Sequence, residues 1–181
     1  MSDEDRVRWD LRYAARHDLG ADDIALPAVF GPYAELIPTS GRALEVACGG
    51  GASAVWLALR GMDVLGVDVS PVAVGAARDL ARRRRLTARC HFGVVDLDAG
   101  LPAGPPVDLL LCNMFRDPRL YGAIVDRLAS GGLLAISVLS EVGAEPGPFR
   151  APAGELTDAF GDLQVIAANE AEGRAWLVAR R

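Results

Sequence analysis

The fold turns on Ala43-Leu44-Glu45-Val46-Ala47-Cys48-Gly49-Gly50-Gly51. A short, mainly apolar run enters consecutive glycines. Beyond them, residues 53–60 carry helical spacing, with Val55, Trp56 and Leu59 predicted on one face. The alternation continues outward. Residues 63–69 read as a second strand, and Ser70-Pro71 starts a helix running to about residue 85, with serine as N-cap and proline in the first turn. Residues 88–95 and the continuous apolar run 107–112 follow as strands, the latter of the kind covered on both faces. Residues 119–128 read as a helix, and Gly131-Gly132 break into a strand over 133–139. A Gly- and Pro-rich loop at 140–152 and a short helix at 155–160 lead to closing strands at 163–168 and 174–179, joined near Glu172-Gly173. So short a joint pairs them antiparallel at the sheet edge. Strands alternating with helices predict a doubly wound α/β sheet with right-handed crossovers.

The 181 residues suit a single domain. Residues 1–41 are expected as one or two helices forming a cap, and 42–181 as the α/β core. Hydrophobic residues at 51% and charged residues at 24% give an ordinary globular balance. No apolar run is long enough to span a bilayer, and the acidic start Met1-Ser2-Asp3-Glu4-Asp5 has no signal-peptide character. Both point to a cytoplasmic protein with no membrane partner. The net charge of −5 argues against a nucleic-acid partner. One basic run, Arg82-Arg83-Arg84-Arg85, ends a predicted helix, where it is either a solvated helix end or an anion or RNA contact. All nineteen basic residues are arginine, which excludes lysine Schiff-base chemistry and a P-loop lysine. Cys48, Cys90 and Cys112 form no CxxC pair and read as buried free thiols, and no metal cluster is visible.

Ligands in such a sheet sit beyond the carboxyl ends of the strands. The first strand ends in Ala47, Cys48, Gly49 and Gly51, where glycine lets the backbone turn and approach a ligand, and the next helix offers free N–H groups. Gly49-x-Gly51-x-x-Ala54 also fits the dinucleotide fingerprint loosely. The second strand ends at Asp68, about twenty residues on, where a carboxylate can accept ribose hydroxyls. The third ends at Asp96-Leu97, with a carboxylate placed to accept from an adenine amino group. The fourth ends at Asn113. None of these separates a nicotinamide from a sulfonium cofactor. Glu45 does. An unpaired carboxylate inside a core strand is costly, and it becomes reasonable opposite a cation. A pyrophosphate would be repelled there, whereas a methionyl ammonium would be held.

Together these residues resemble the class I S-adenosylmethionine-dependent methyltransferases. The resemblance runs in order through Leu44 to Gly51, Gly66-Val67-Asp68-Val69-Ser70, Val95-Asp96-Leu97, Asp108 to Asn113, and Leu128 to Leu134. It implies a Rossmann-like, mostly parallel seven-stranded sheet with an antiparallel last strand, and S-adenosylmethionine as cofactor. It further implies that the loop 47–51 holds the methionyl part, Asp68 the ribose, Val69 the adenine face, and Asp96 with Leu97 its edge. Trp9-Asp10-x-Arg12-Tyr13 and the tail from Gly154 to Arg180 are similar to the small-molecule, tellurite-resistance-like and thiopurine-like branch. Trp9 and Tyr13, four apart on one helix face, would then cover the cofactor. Ala47 replaces the first glycine of the usual loop. The Pro-Pro-Tyr or Pro-Pro-Phe motif of nucleic-acid amine methyltransferases is absent after Asn113.

The implied reaction is an in-line displacement onto a small-molecule acceptor, in which the enzyme mainly aligns the reactants. Tyr13, His17, Asn113 and Arg116 are candidates near the methyl group: His17 as a base, Arg116 as a holder of an anionic substrate. His91, within a strand, reads as structural. The competing readings are a cofactor-binding protein without turnover and a nicotinamide oxidoreductase. The oligomeric state and the acceptor are not legible.

Overall fold

The computed structural model describes residues 3–15 and 23–181. Helix α1 (Asp3–Ala14) and a 3-10 segment (Ala28–Leu36) precede the sheet. Then come β1 (Arg42–Val46), α2 (Ala52–Leu59), β2 (Asp63–Asp68), α3 (Pro71–Arg83), β3 (Cys90–Val94) and β4 (Val107–Asn113). The chain closes with α4 (Tyr121–Arg127), β5 (Leu128–Ser140), β6 (Arg150–Ala151), α5 (Glu155–Ala159), β7 (Gln164–Ala171) and β8 (Arg174–Arg180). Strand order is β3-β2-β1-β4-β5-β8-β7, with the short β6 pairing only to β5. Pairings among β1 to β5 are parallel, while β8 runs antiparallel to both β5 and β7. The expected seven-strand path and antiparallel last strand are present. The strand order reverses between β1 and β4, and that crevice is where such sheets take ligands.

The central strands are apolar on both faces because helices cover both. Ala43, Leu109, Leu111, Leu133 and Val178 pack with α2 and α3 on one side. Leu44, Leu110, Leu134 and Leu177 pack with Ile124 of α4 and Leu156 of α5 on the other. Ser70 caps α3 as its sequence predicts, its hydroxyl accepting from the Ala73 N–H at 3.1 Å. Such a cap contributes about 1 kcal/mol. At the other end of α3, Arg82 pairs with Asp79 across one turn at 2.7 Å. The β7–β8 joint places Glu172 (φ 52°) and Gly173 (φ 76°) in succession in the left-handed region, as a tight hairpin requires.

The structure corrects several sequence readings. Leu59 is 56% exposed, and α2 instead buries Ala54, Val55, Leu57 and Ala58. The small alanines let the helix sit close on the sheet, whereas the sequence reading followed the larger side chains. Strand β5 begins at Leu128, not at residue 133, and passes straight through Gly131-Gly132. Register moves from Val107↔Leu128 to Leu109↔Leu133, so the glycines mark a bulge. A Cβ on Gly132 would stand 2.9 Å from the Val107 and Ala129 carbonyls. The helix expected at 119–128 is a 3-10 turn (Pro118–Leu120) followed by the shorter α4. The loop at 140–152 carries β6. Among the described residues no helix is long and apolar enough to cross a membrane.

Candidate functional site

The glycine loop leaves β1 through three left-handed residues, Ala47 (φ 54°), Gly49 (φ 52°) and Gly51 (φ 78°). At Ala47 that geometry costs an L-residue about 1–2 kcal/mol, so the alanine carries strain that the usual glycine would not. Gly51 is there for want of space: a Cβ would meet the Ala77 Cβ at 2.7 Å and the Phe92 ring at 2.9 Å. The turn thus presses against α3 and β3, and α2 starts from it.

Glu45 lies under this loop, between Gly66 of β2 and Leu111 of β4 in register. It is only 4% exposed. Burial pushes its carboxyl up to about 8, opposed by the Ala54 N–H and Ser53 hydroxyl at the start of α2 and reinforced by nearby Asp68. Its Oε2 is buried without a hydrogen-bond partner. A buried carboxyl oxygen without a partner beside a glycine cradle fits an incoming cationic group, which would draw off the proton that burial retains.

Asp68, at the end of β2, does more than the sequence suggested. Its Oδ2 accepts from the Gly49 N–H at 2.9 Å and its Oδ1 from the Ser70 N–H at 3.0 Å. One carboxylate therefore ties the glycine loop to the start of α3. Burial raises its pKa, and those backbone donors lower it. Val69 beside it is buried. After β3, the exposed Asp96 caps the turn Leu97–Ala99, accepting from the Asp98 N–H at 3.0 Å, which holds its carboxyl below the usual range. The Leu97 side chain is in the core.

Helix α1 lies over this end of the sheet. The Ser70 hydroxyl donates to Asp10 at 2.5 Å, so the residue that caps α3 also ties down α1. The Tyr13 hydroxyl stands 2.4 Å from where a Gly49 Cβ would be. Trp9 and Tyr13 are ring neighbours at 6.0 Å, and the Arg12 guanidinium sits 5.1 Å from the Trp9 ring. Arg8 lies 5.3 Å from the ring of Phe149, in the loop between β5 and β6.

At the end of β4, Asn113 Oδ1 accepts from the Ser137 hydroxyl at 2.7 Å. Met114 follows with φ 60°, its N–H donating to the Ser137 carbonyl at 2.8 Å. Arg116 is engaged. Its Nε donates to Glu155 Oε1 at 2.8 Å and its Nη2 to Oε2, while the Tyr121 hydroxyl donates to Oε1 at 2.6 Å. His17 lies outside the described residues. His91 is exposed on β3. The three cysteines are free and buried, and burial pushes the Cys90 and Cys112 thiols up to about 12. They are inert packing groups.

The glycine loop, Glu45, Asp68, Asp96, Asn113, Trp9 and Tyr13 therefore come together at the carboxyl edge of β1 to β4. Sequence reading missed Ser53, Asp10, Ser137, Glu155 and Tyr121, each of which partners a residue it named. Asp10 and Glu155 carried a signal, since both lie in the stretches that resemble the small-molecule branch.

A doubly wound sheet of this strand order, with a glycine turn at the switch point and carboxylates at the ends of β2 and β3, places a nucleotide-like cofactor at its carboxyl edge. Residues 43–132 match the family described as "Methyltransferase domain", and the chain belongs to the class I S-adenosylmethionine-dependent methyltransferases. The cofactor of that family is S-adenosylmethionine. A curated relative, "Ribosomal protein L11 methyltransferase" of Deinococcus radiodurans, is 32% identical over 155 residues, covering 81% of this chain and 55% of the relative. The chain thus spans about half the length of that protein. The structure of TehB from Haemophilus influenzae superposes with a TM-score of 0.78 at 17% identity, over 96% of this chain and 67% of that one. Geranyl diphosphate C-methyltransferase from Streptomyces coelicolor, solved with S-adenosyl-L-homocysteine, does so at 0.71 and 15% identity, over 98% and 97%. At those identities the likeness is one of fold.

Proposed function

We propose that this chain transfers a methyl group from S-adenosylmethionine to a small-molecule acceptor by in-line displacement. The observation that carries the cofactor reading is Glu45, a buried carboxyl with an unpartnered oxygen beneath a glycine cradle. It would take the methionyl ammonium. Asp68 would use its remaining lone pairs for the ribose hydroxyls, with Val69 against the adenine and the Asp96-Leu97 turn at its edge. Trp9 and Tyr13 would cover the cofactor, so that residues 1–41 act as a cap on a single catalytic domain. When bound, the cofactor supplies an electrophilic methyl on a sulfonium. The leaving group is then neutral, so the chain's task is alignment and exclusion of water. Asn113, fixed by Ser137, would stand beside the acceptor.

The net charge of −5 favours a small molecule over a nucleic acid. A second reading, methylation of a ribosomal component, is favoured by the name of the Deinococcus relative. Calorimetry with S-adenosylmethionine and S-adenosylhomocysteine tests the cofactor step, and absence of binding by both refutes it. A methyl-transfer screen over thiol, oxyanion, phenol and amine acceptors, with ribosomal protein and ribosomal RNA as further arms, tests the acceptor class. Transfer to a ribosomal arm alone would replace the small-molecule reading.

A further inference from the structure

The end of β4 carries a charge arrangement that bears on what the acceptor can be. β4 lies between β1 and β5, with Asn113 paired to Ser137. Past their ends stand Arg116 on one side and Glu141 on the other. Arg116 meets Glu155, in the first turn of α5, through a two-point fork, and the Tyr121 hydroxyl adds a third bond to the same carboxylate. Forked Arg–carboxylate contacts are among the stronger charge-assisted bonds. The two charged side chains are 21% and 14% exposed, and Tyr121 is buried. The carboxylate of Glu141 also bears on Arg116. At the rim Met114 is 38% and Phe149 57% exposed, with the Arg8 guanidinium over the Phe149 ring.

An arginine three residues beyond the strand end looks like an anion holder in sequence. In the fold its charge is already cancelled. An anion that captured Arg116 would strip Glu155 of its counter-ion and leave it, largely buried, with Glu141 in the vicinity. Removing one partner of such a pair is strongly unfavourable.

We propose that Glu155 is a specificity-determining residue: by neutralising Arg116 beside the reaction site, it makes the site reject anionic acceptors and take one that is uncharged apart from its reacting atom. This rests on the methyltransferase reading above. Tyr121 is a positioning residue that holds Glu155 on Arg116.

Two probes of equal shape test it, 4-methylbenzenethiol and 4-mercaptobenzoate, titrated calorimetrically onto the protein with and without S-adenosylhomocysteine. The wild-type chain should bind the neutral probe at least about tenfold more tightly, since burying an unpaired carboxylate is so costly. Glu155→Gln keeps the shape and the tyrosine contact but frees Arg116, and should invert that preference. Adding Arg116→Met to Glu155→Gln should abolish the gain. Tyr121→Phe should move the ratio the same way by less. A purely structural link between α5 and β4 would lower the melting temperature of these variants without changing the charge preference. An unchanged ratio in Glu155→Gln, a wild-type preference for the carboxylate, or failure of both probes to bind the variants overturns the proposal. Failure of S-adenosylhomocysteine to bind overturns the cofactor reading instead, and the ratios on the ligand-free protein still decide the role of Glu155.

Discussion

Replacing Glu45 with glutamine removes a buried acid while keeping its shape, and so changes how stability depends on pH. In the unfolded chain a glutamate ordinarily titrates near 4.5, whereas in the fold burial holds the proton until about 8. Between those values the folded state binds more proton than the unfolded state, so stability must fall as pH rises. The slope is about 1.4 kcal/mol per pH unit, and the whole window is worth about 5 kcal/mol at most. The contribution is fully present below pH 4.5 and gone above about 8. Glutamine has no such slope. Urea unfolding of the ligand-free protein, followed by fluorescence of its three tryptophans, measures both chains from pH 5 to 9. The wild type should lose roughly 3–4 kcal/mol relative to Glu45→Gln between pH 5 and 8, then run parallel to it. Profiles parallel across the whole range would refute the reasoning, because they would mean that Glu45 is ionised or hydrated in the fold. Cofactor binding supplies the same test from the other side. An ammonium beside Glu45 favours the carboxylate, so binding at pH 7 should release up to about one proton in the wild type and fewer in the variant. Calorimetry in buffers of different ionisation heat reads that number directly.

Gly51→Ala forces a side chain into a left-handed position against Ala77 and Phe92. It should cost about 2–4 kcal/mol in urea unfolding, combining overpacking with backbone strain. Ser70→Ala removes both the α3 cap and the tie to Asp10, and should cost about 1–2 kcal/mol while raising hydrogen exchange in α1. Ala47→Gly relieves the strained loop residue. It should leave stability within about 1 kcal/mol, as strain relief offsets the added chain entropy of glycine. A large loss there, measured by thermal unfolding, would show that the alanine methyl packs.

What was legible in the sequence was local. The strand before the glycines, the Ser70-Pro71 helix start and the acids at the ends of β2 and β3 all show as spacing within a few residues. Gly131-Gly132 misled because glycine marks both a break and a bulge, and only the register against Val107 separates the two. Leu59 misled because face assignment followed size, whereas α2 packs through its small residues.

The α/β alternation, the glycine turn and the candidates along the carboxyl edge are written locally in the chain, since periodicity and turn chemistry act between near neighbours. The tertiary structure alone decided what those candidates can do. It buried Glu45 with one oxygen unpartnered, set the Tyr13 hydroxyl against Gly49, tied Asp10 to Ser70 and cancelled Arg116 with Glu155. Each of these depends on distance and desolvation between residues far apart in the chain, which shift the charge state of a side chain from its ordinary value.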